Sequence, residues 1–387
     1  MASGFGAESA LSGGDCHPAY CVPKVRRYPT PISLRLLSYV ELKNVPLCLF
    51  GENVAIVGAW LSRYGLPDIH TACLSVEKIV EDIQTFANFA LRNEVNGNHI
   101  KNIYMEKSGL VLEGGGMRGL FSAGVTDVLM ESGIEFGCMV GVSAGAAFGC
   151  NYKSRQAGRA IRYNVRFCRD RRYCSLWSLI TTGNLFGSFC YHEIPDRYDI
   201  FDCEAFNANP MGMYVVCTDV DTGQAVYHRC DEATHTTYDW IRASASMPLA
   251  SKIVHLGGLR LLDGGVADSI PLAFMEGNGY GRNVVVLTQP EGFVKRPSGI
   301  QPLLDVWMRR HPRFVEAMRR RPAMYNAELA LVAERERQGR AFVIRPAAKL
   351  PINHISHSPE MLMRTYELGR KAAHERLAAL RAFMASE

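Results

Sequence analysis

Two stretches constrain the fold more than any others. Residues 109–124, "GLVLEGGGMRGLFSAG", and residues 138–149, "CMVGVSAGAAFG", each run a short apolar segment into glycines and then into a small-residue helical pattern. Apolar runs of this length bounded by glycine read as buried strands, and the segments after them carry helical spacing. Strands near 109–113 and 138–142, with helices near 119–132 and from 144, form a β, α, β, α succession. Parallel strands need long crossover connections, which helices commonly supply, so the succession predicts a parallel sheet.

Further strands are expected at 212–218, 224–228, 252–255, 259–262 and 283–288, with helices near 154–167 and 236–246. Residues 302–338 read as mainly helical, "RAFVIRP" as a late strand and 358–384 as a closing helix. Upstream, residues 1–30 are rich in Gly, Ser and Pro and read as a flexible leader. Residues 31–107 read as a mainly helical extension of unknown role, clearest after Ser75, where Val76, Ile79, Val80, Ile83, Phe86 and Leu91 recur at helical spacing. The expected organisation is therefore an α/β unit over 108–300 and a C-terminal, mainly helical extension with a late strand over 301–387. The apolar run at 45–61 is interrupted by "GEN" and falls short of the ~20 apolar residues of a spanning helix. The N-terminus lacks the basic start and apolar core of a signal peptide, so the cytoplasm is the expected location.

Gly114, Gly116 and Gly119 have G-x-G-x-x-G spacing, which raises a dinucleotide site. Such a site wants an acidic residue about 20 positions on, at the end of the second strand, for the ribose hydroxyls. Glu135 lies near that distance but precedes the second strand. The strand ends instead in Gly141-Val142-Ser143-Ala144-Gly145, a G-x-S-x-G sequence in strand–turn–helix context. There a serine sits on a crowded turn that favours glycine two positions to either side, and its hydroxyl projects beyond the sheet. Acyl transfer also requires donors aimed at the oxygen that becomes negative, and "GGGMRG" has glycines whose N–H groups can point into a site. Arg118 either fixes that loop, meets an anionic head group or forms a surface ion pair. A carboxylate on a glycine turn follows later, at Asp263-Gly264-Gly265 after a strand; Asp-Gly is also a common plain turn.

In this order "GGGMRG", "GVSAG" and "DGG" resemble the patatin-like phospholipase family of serine acyl hydrolases, in a bacterial subgroup. The segment Ala243-Ser244-Ala245-Ser246-Met247-Pro248 resembles the family's A-S-x-x-x-P segment. The resemblance covers about residues 108–290. It implies a three-layer α/β/α sandwich with a mostly parallel central sheet. It also implies Ser143 as nucleophile, Asp263 as direct base, an oxyanion hole from Gly114, Gly115 and Gly116, and Arg118 at the family's basic position. Gly119, Gly141, Gly145, Gly264 and Gly265 support these loops. The implied activity is hydrolysis of carboxylic esters of lipids, of phospholipase A, lysophospholipase or esterase type, with no cofactor.

A Ser–Asp–His order would instead draw on His311, His354 or His357, none of which has a motif around it, while His228, His235 and His255 precede Asp263. From other classes, a nucleotide-binding oxidoreductase using the Gly114–Gly119 loop and a non-catalytic interaction protein stay open. Residues 173–194, "YCSLWSLITTGNLFGSFCYHEI", line an acyl channel, form a lid, or are core. The net charge of +5 is small for 387 residues and does not indicate nucleic acid. Arginines cluster at Arg169, Arg171 and Arg172, and at Arg309, Arg310, Arg313, Arg319, Arg320 and Arg321. These read as solvated helix faces, or as contacts to an anionic membrane surface. The twelve cysteines have no C-x-x-C pair and read as reduced, mostly buried thiols, and no metal site is expected. The sequence leaves the oligomeric state open.

Overall fold

The computed structural model describes residues 108–385, so the expected leader and the helix after Ser75 lie outside the described residues. The five strands of the parallel part are β1 (Ser108–Leu112), β2 (Cys138–Val142), β3 (Gly212–Asp219), β7 (Arg282–Val286) and β8 (Ala341–Ile344), paired in the order β8-β7-β1-β2-β3. β4 (Ala225–Arg229), β5 (Val254–Leu256) and β6 (Leu259–Asp263) complete eight strands through antiparallel pairing. The expected strands are all present, within a few residues of the expected bounds.

β1 and β2 are buried along their whole length, as strands covered on both faces must be. Alternation divides them between two cores. Leu110, Leu112 and Met139 face α1 (Gly119–Glu131), α2 (Ala144–Lys153) and the closing helix α10 (Pro359–Ala385), where Leu120, Phe121, Leu362 and Tyr366 pack. Val111, Val140, Val142 and Val285 face α7 (Leu272–Gly277) and α9 (Pro312–Arg337), meeting Leu272, Met275, Tyr325 and Val332. This is a three-layer α/β/α sandwich with a mostly parallel central sheet. The C-terminal residues belong to it: β8 extends the sheet beside β7, and α10 lies along α1.

The remaining helices are α3 (Arg159–Phe167), α4 (Leu176–Thr182), α5 (Cys203–Ala208), α6 (His235–Ser244) and α8 (Gln301–Trp307). A π-helical segment, Phe189–Tyr198, contains Pro195, whose missing N–H removes a normal helical bond; Asp199 N–H reaches back five residues to the Ile194 carbonyl at 2.9 Å. All eight described cysteines are free, and six are buried. No described helix is long and apolar enough to cross a membrane.

Candidate active site

The register of β3 brings Ser143 and Asp263 together. Tyr214, Val215 and Val216 pair with β2 on one edge and with β4 on the other. Cys217 and Thr218 again pair with β4, and on their opposite edge with β6. β2 and β6 therefore share one edge of β3 and run toward each other along it. Val142 lies opposite Val216 and Asp263 opposite Cys217, so the residue after β2 meets the last residue of β6. Ser143 Oγ donates to Asp263 Oδ2 at 2.7 Å, with both residues buried.

Ser143 has φ 54° and ψ −119°, outside the regions open to ordinary residues, at a strain of about 1–3 kcal/mol. The turn is held by close backbone packing. A Cβ on Gly145 would run into the carbonyl oxygens of Leu112 and Glu113, and one on Gly141 would lie 2.6 Å from Ala146 N. The Ser143 N–H donates to Ser244 Oγ at 2.8 Å, and that hydroxyl donates to the Val216 carbonyl at 2.5 Å. Ser244 thus fills the break in the β3 ladder between the ends of β2 and β6. Two residues on, the Ser246 carbonyl accepts the Asp263 N–H at 2.8 Å. The segment after α6 braces both members of the pair.

Asp263 Oδ1 accepts the Gly265 N–H at 2.8 Å. Burial raises its carboxyl above the ordinary value, against the opposing pull of Arg321 and the Ser143 hydrogen bond. Gly264 is pressed against the Val216 carbonyl, where no side chain fits. None of His311, His354 and His357 hydrogen-bonds Ser143 or Asp263 among the described residues. His354 Nε2 faces Arg118 Nη1 at 3.2 Å, His357 Nδ1 faces the Cys168 carbonyl at 2.7 Å, and His311 stands at the N-cap position of α9 with no side-chain capping bond.

The glycine loop lies over Ser143: a Cβ on Gly114 would stand 3.2 Å from that of Ser143. Among the described residues no protein acceptor is found for the N–H groups of Gly114, Gly115 and Gly116, whereas Met117 N–H is tied to the His354 carbonyl at 3.0 Å. Gly116 has φ +57° and packs on that same carbonyl, and Gly119 packs on Ala144. Glu135, the acidic residue of the dinucleotide alternative, sits before β2 at the far end of the sheet, paired with Arg155.

Ser143 stands between two cavities. The first, about 90 Å³, is walled by Met117, Phe148, Tyr163, Tyr191, Ile194 and Met247. In segment 173–194, Phe189 is core, while Tyr173, Phe186, Cys190 and Tyr191 line this cavity. The second, about 440 Å³, contains Arg118, Lys295, Arg321 and His354 beside Asp263. Arg321 is a correction to the view of its cluster as a solvated face. Arg319 and Arg320 pair outward with Asp305 and Glu316, but Arg321 turns inward and donates to the Gly265 carbonyl. Tyr325 and Glu328 follow on the same face of α9. Tyr325 Oη donates to buried Glu113 at 2.6 Å, and Glu328 accepts the N–H groups of Ser269 and Ile270. The spacing 321, 325, 328 was the available signal for these residues; Lys295, in a loop, had none. Among the described residues no group of His, Cys, Asp and Glu is arranged to hold a metal ion.

A serine on a strand-to-helix elbow under a glycine loop, in a three-layer sandwich, is the arrangement of α/β serine hydrolases. Residues 110–275 match the family model described as Patatin-like phospholipase, so the chain carries a patatin-like phospholipase domain there. Residues 311–385 match a model described as a domain of unknown function, DUF6363. The uncharacterized protein YjjU of Escherichia coli is 29% identical over 64% of this chain and 67% of that protein. Lysophospholipase nte1 of Emericella nidulans and lysophospholipase NTE1 of Coccidioides immitis are each 30% identical over 51% of this chain. The chain spans only 13% of the length of these two lysophospholipases. The structure of VipD from Legionella pneumophila aligns over 71% of this chain and 67% of that one, at a TM-score of 0.38 and 12% identity. The domain match and the lysophospholipase relatives support a lipid acyl hydrolase.

Proposed function

We propose that this chain hydrolyses carboxylic esters of lipids, of phospholipase A or lysophospholipase type, through an acyl-enzyme on Ser143. Asp263 takes the hydroxyl proton as Ser143 Oγ attacks the ester carbonyl carbon. The carbonyl oxygen becomes an oxyanion received by N–H groups of Gly114, Gly115 and Gly116 and of Ala144, the first residue of α2. Collapse of the tetrahedral intermediate passes the proton from Asp263 to the leaving alcohol. Water, deprotonated by Asp263, then attacks the acyl-enzyme, and the carboxylic acid leaves as Ser143 regains its proton. The single observation that carries this reading is the 2.7 Å hydrogen bond from an elbow serine to a buried carboxylate. A raised carboxyl pKa suits the role, because a base works best when its affinity for the proton approaches ambient pH.

The apolar cavity takes the acyl chain, and residues 108–300 together with β8 and α10 form the catalytic unit. Two helices carry exposed apolar residues beside arginines. Leu176, Trp177 and Ile180 on α4 lie next to Arg171, whose guanidinium sits over the Trp177 ring, and Leu303, Val306 and Trp307 on α8 precede Arg309 and Arg310. That combination fits peripheral contact with an anionic lipid surface, consistent with a cytoplasmic protein working at a membrane.

A fluorophosphonate probe tests the reading. Wild type acquires a covalent adduct on Ser143, Ser143→Ala acquires none, and Asp263→Asn reacts far more slowly. A folded wild type that stays unlabelled refutes it.

A further inference from the structure

The cavity that takes the acyl chain is apolar apart from a few polar groups, and two of these have nothing in the protein to bond to. Four tyrosines line it. Tyr173 Oη donates to Asn164 Oδ1 at 2.7 Å, and Tyr238 Oη pairs with Cys203 Sγ at 3.3 Å. Tyr163, on α3, and Tyr191, in the π-helical wall, have hydroxyls with no hydrogen-bond partner among the described residues. Tyr163 is only 9% exposed, which leaves its hydroxyl little beyond the cavity to bond with.

The other polar side chains of the cavity are committed. Cys190 Sγ donates to the Tyr173 carbonyl at 2.9 Å and Cys150 Sγ to the Ala147 carbonyl at 3.3 Å. Arg159 donates to Asn151 Oδ1 at 2.9 Å and to the Asp199 carbonyl at 2.6 Å, with the Asp199 carboxylate 3.5 Å away. Its charge is balanced, so the cavity offers a ligand two free phenols and no unpaired cation. Burial raises the pKa of both phenols, and each therefore keeps its proton and can donate as well as accept. Smaller influences order them along the cavity: the Asp263 carboxylate acts on Tyr191, the Arg159 guanidinium acts on Tyr163, and the two phenols act on each other. Tyr191 thus stands toward the catalytic pair and Tyr163 toward Arg159.

A saturated hydrocarbon chain lying here desolvates two phenols and returns nothing to them. A chain hydroxyl can accept from one and donate to the other, and a site built to pair a substrate hydroxyl discriminates against the analogue that lacks it. Resting on the hydrolase reading above, we propose that Tyr163 and Tyr191 form a subsite for a neutral oxygen on the acyl group, so that lipid esters with a hydroxylated acyl chain are preferred to their saturated counterparts.

The test uses 4-nitrophenyl dodecanoate and its 3-, 6-, 9- and 12-hydroxy counterparts, cleaved by the full chain in neutral detergent micelles. Wild type favours one of the hydroxylated esters in kcat/KM by about tenfold, and the favoured position reports how far along the chain the phenols lie. Tyr163→Phe and Tyr191→Phe keep the ring and each lower that preference about threefold to tenfold, as loss of one neutral hydrogen bond does. The double variant has no preference and cleaves the plain ester at least as fast as wild type. Micelle partition and intrinsic ester reactivity are the same for every variant and cancel in the comparison between them. Tyr214→Phe, whose ring packs on Phe274 in the other core, leaves the preference unmoved. A preference that survives the double variant overturns the subsite. So does an equal loss of rate on plain and hydroxylated esters in the Phe variants, which assigns the hydroxyls to structure alone. Cleavage of all the esters without preference sinks the subsite and leaves the hydrolase reading standing; cleavage of none, with Ser143 unlabelled by a fluorophosphonate, sinks the hydrolase reading itself.

Discussion

Replacing Ser244 with alanine tests how the break in the sheet is held. The hydroxyl is fully buried, accepts the Ser143 N–H at 2.8 Å and donates to the Val216 carbonyl at 2.5 Å. Ser244→Ala removes both bonds and leaves a buried donor and a buried acceptor short of a partner. At about 1–3 kcal/mol for each unsatisfied group, the loss is about 2–6 kcal/mol of stability. The same bond anchors the backbone of the elbow residue, which is strained at φ 54° and has reason to relax. A displacement of Ser143 Oγ by a fraction of an ångström from Asp263 slows attack by about tenfold to a hundredfold, equivalent to ~1.4–2.7 kcal/mol. The assay pairs a urea midpoint with the rate of fluorophosphonate labelling at saturating probe, which separates reaction from binding. Ser244→Cys, a weaker donor and acceptor, falls between wild type and alanine on both axes. An alanine variant that unfolds at the wild-type midpoint and labels at the wild-type rate shows that the elbow is held without this hydroxyl, and the account of the ladder break is then wrong.

Four further outcomes follow from the same geometry. In the proposed mechanism Asp263 must be ionised to accept the proton and its pKa is raised by burial, so the labelling rate falls as pH drops through a midpoint above the usual 3.8, and Asp263→Asn lacks that limb; a rate independent of pH down to 4 contradicts the base assignment. Gly145→Ala forces a Cβ onto the Leu112 and Glu113 carbonyls, for which an overpacking cost of about 3 kcal/mol or more is expected in thermal melts. His311→Gln and His357→Gln label at the wild-type rate, because neither ring reaches Ser143 or Asp263; loss of labelling in either points to a triad instead. Trp307→Ala combined with Leu303→Ala weakens cosedimentation with phosphatidylglycerol vesicles several-fold, and an unchanged bound fraction argues against α8 as a membrane contact.

Local features of the chain were legible where a residue's neighbours in sequence are also its neighbours in space. The elbow around Ser143, the glycine loop and the strand ending at Asp263 all depend on bonds and contacts within a few residues, and glycine spacing reports them. The pairing of β6 with β3 beyond the end of β2 depends on contacts across 45 residues of chain, between Thr218 and the Asp263 carbonyl for example, and no periodicity encodes which edge a strand will take. Arg321 was obscured by its company. Six arginines in a short span suggest a wet face, and only the position of Tyr325 and Glu328 one and two turns on distinguishes the residue that turns inward. Segment 173–194 was undecidable for a different reason: the same aromatic side chains satisfy a core or a cavity wall, and this chain uses them for both.

The head-to-head meeting of β2 and β6 along β3 has a consequence for motion. Neither Ser143 nor Asp263 hangs from a long loop; each is attached directly to a strand end whose ladder partners, Val216, Cys217 and Thr218, are fully buried. Fluctuations of the Ser143–Asp263 pair are therefore those of the sheet centre, the slowest part of a domain to open. Amide hydrogens of these three residues should be among the last to exchange with deuterium, while the π-helical wall and α4, which carry exposed side chains, breathe on a faster clock. On the proposed mechanism, any conformational step that limits turnover is then expected in the cavity walls, leaving the Ser143–Asp263 distance unchanged through the cycle.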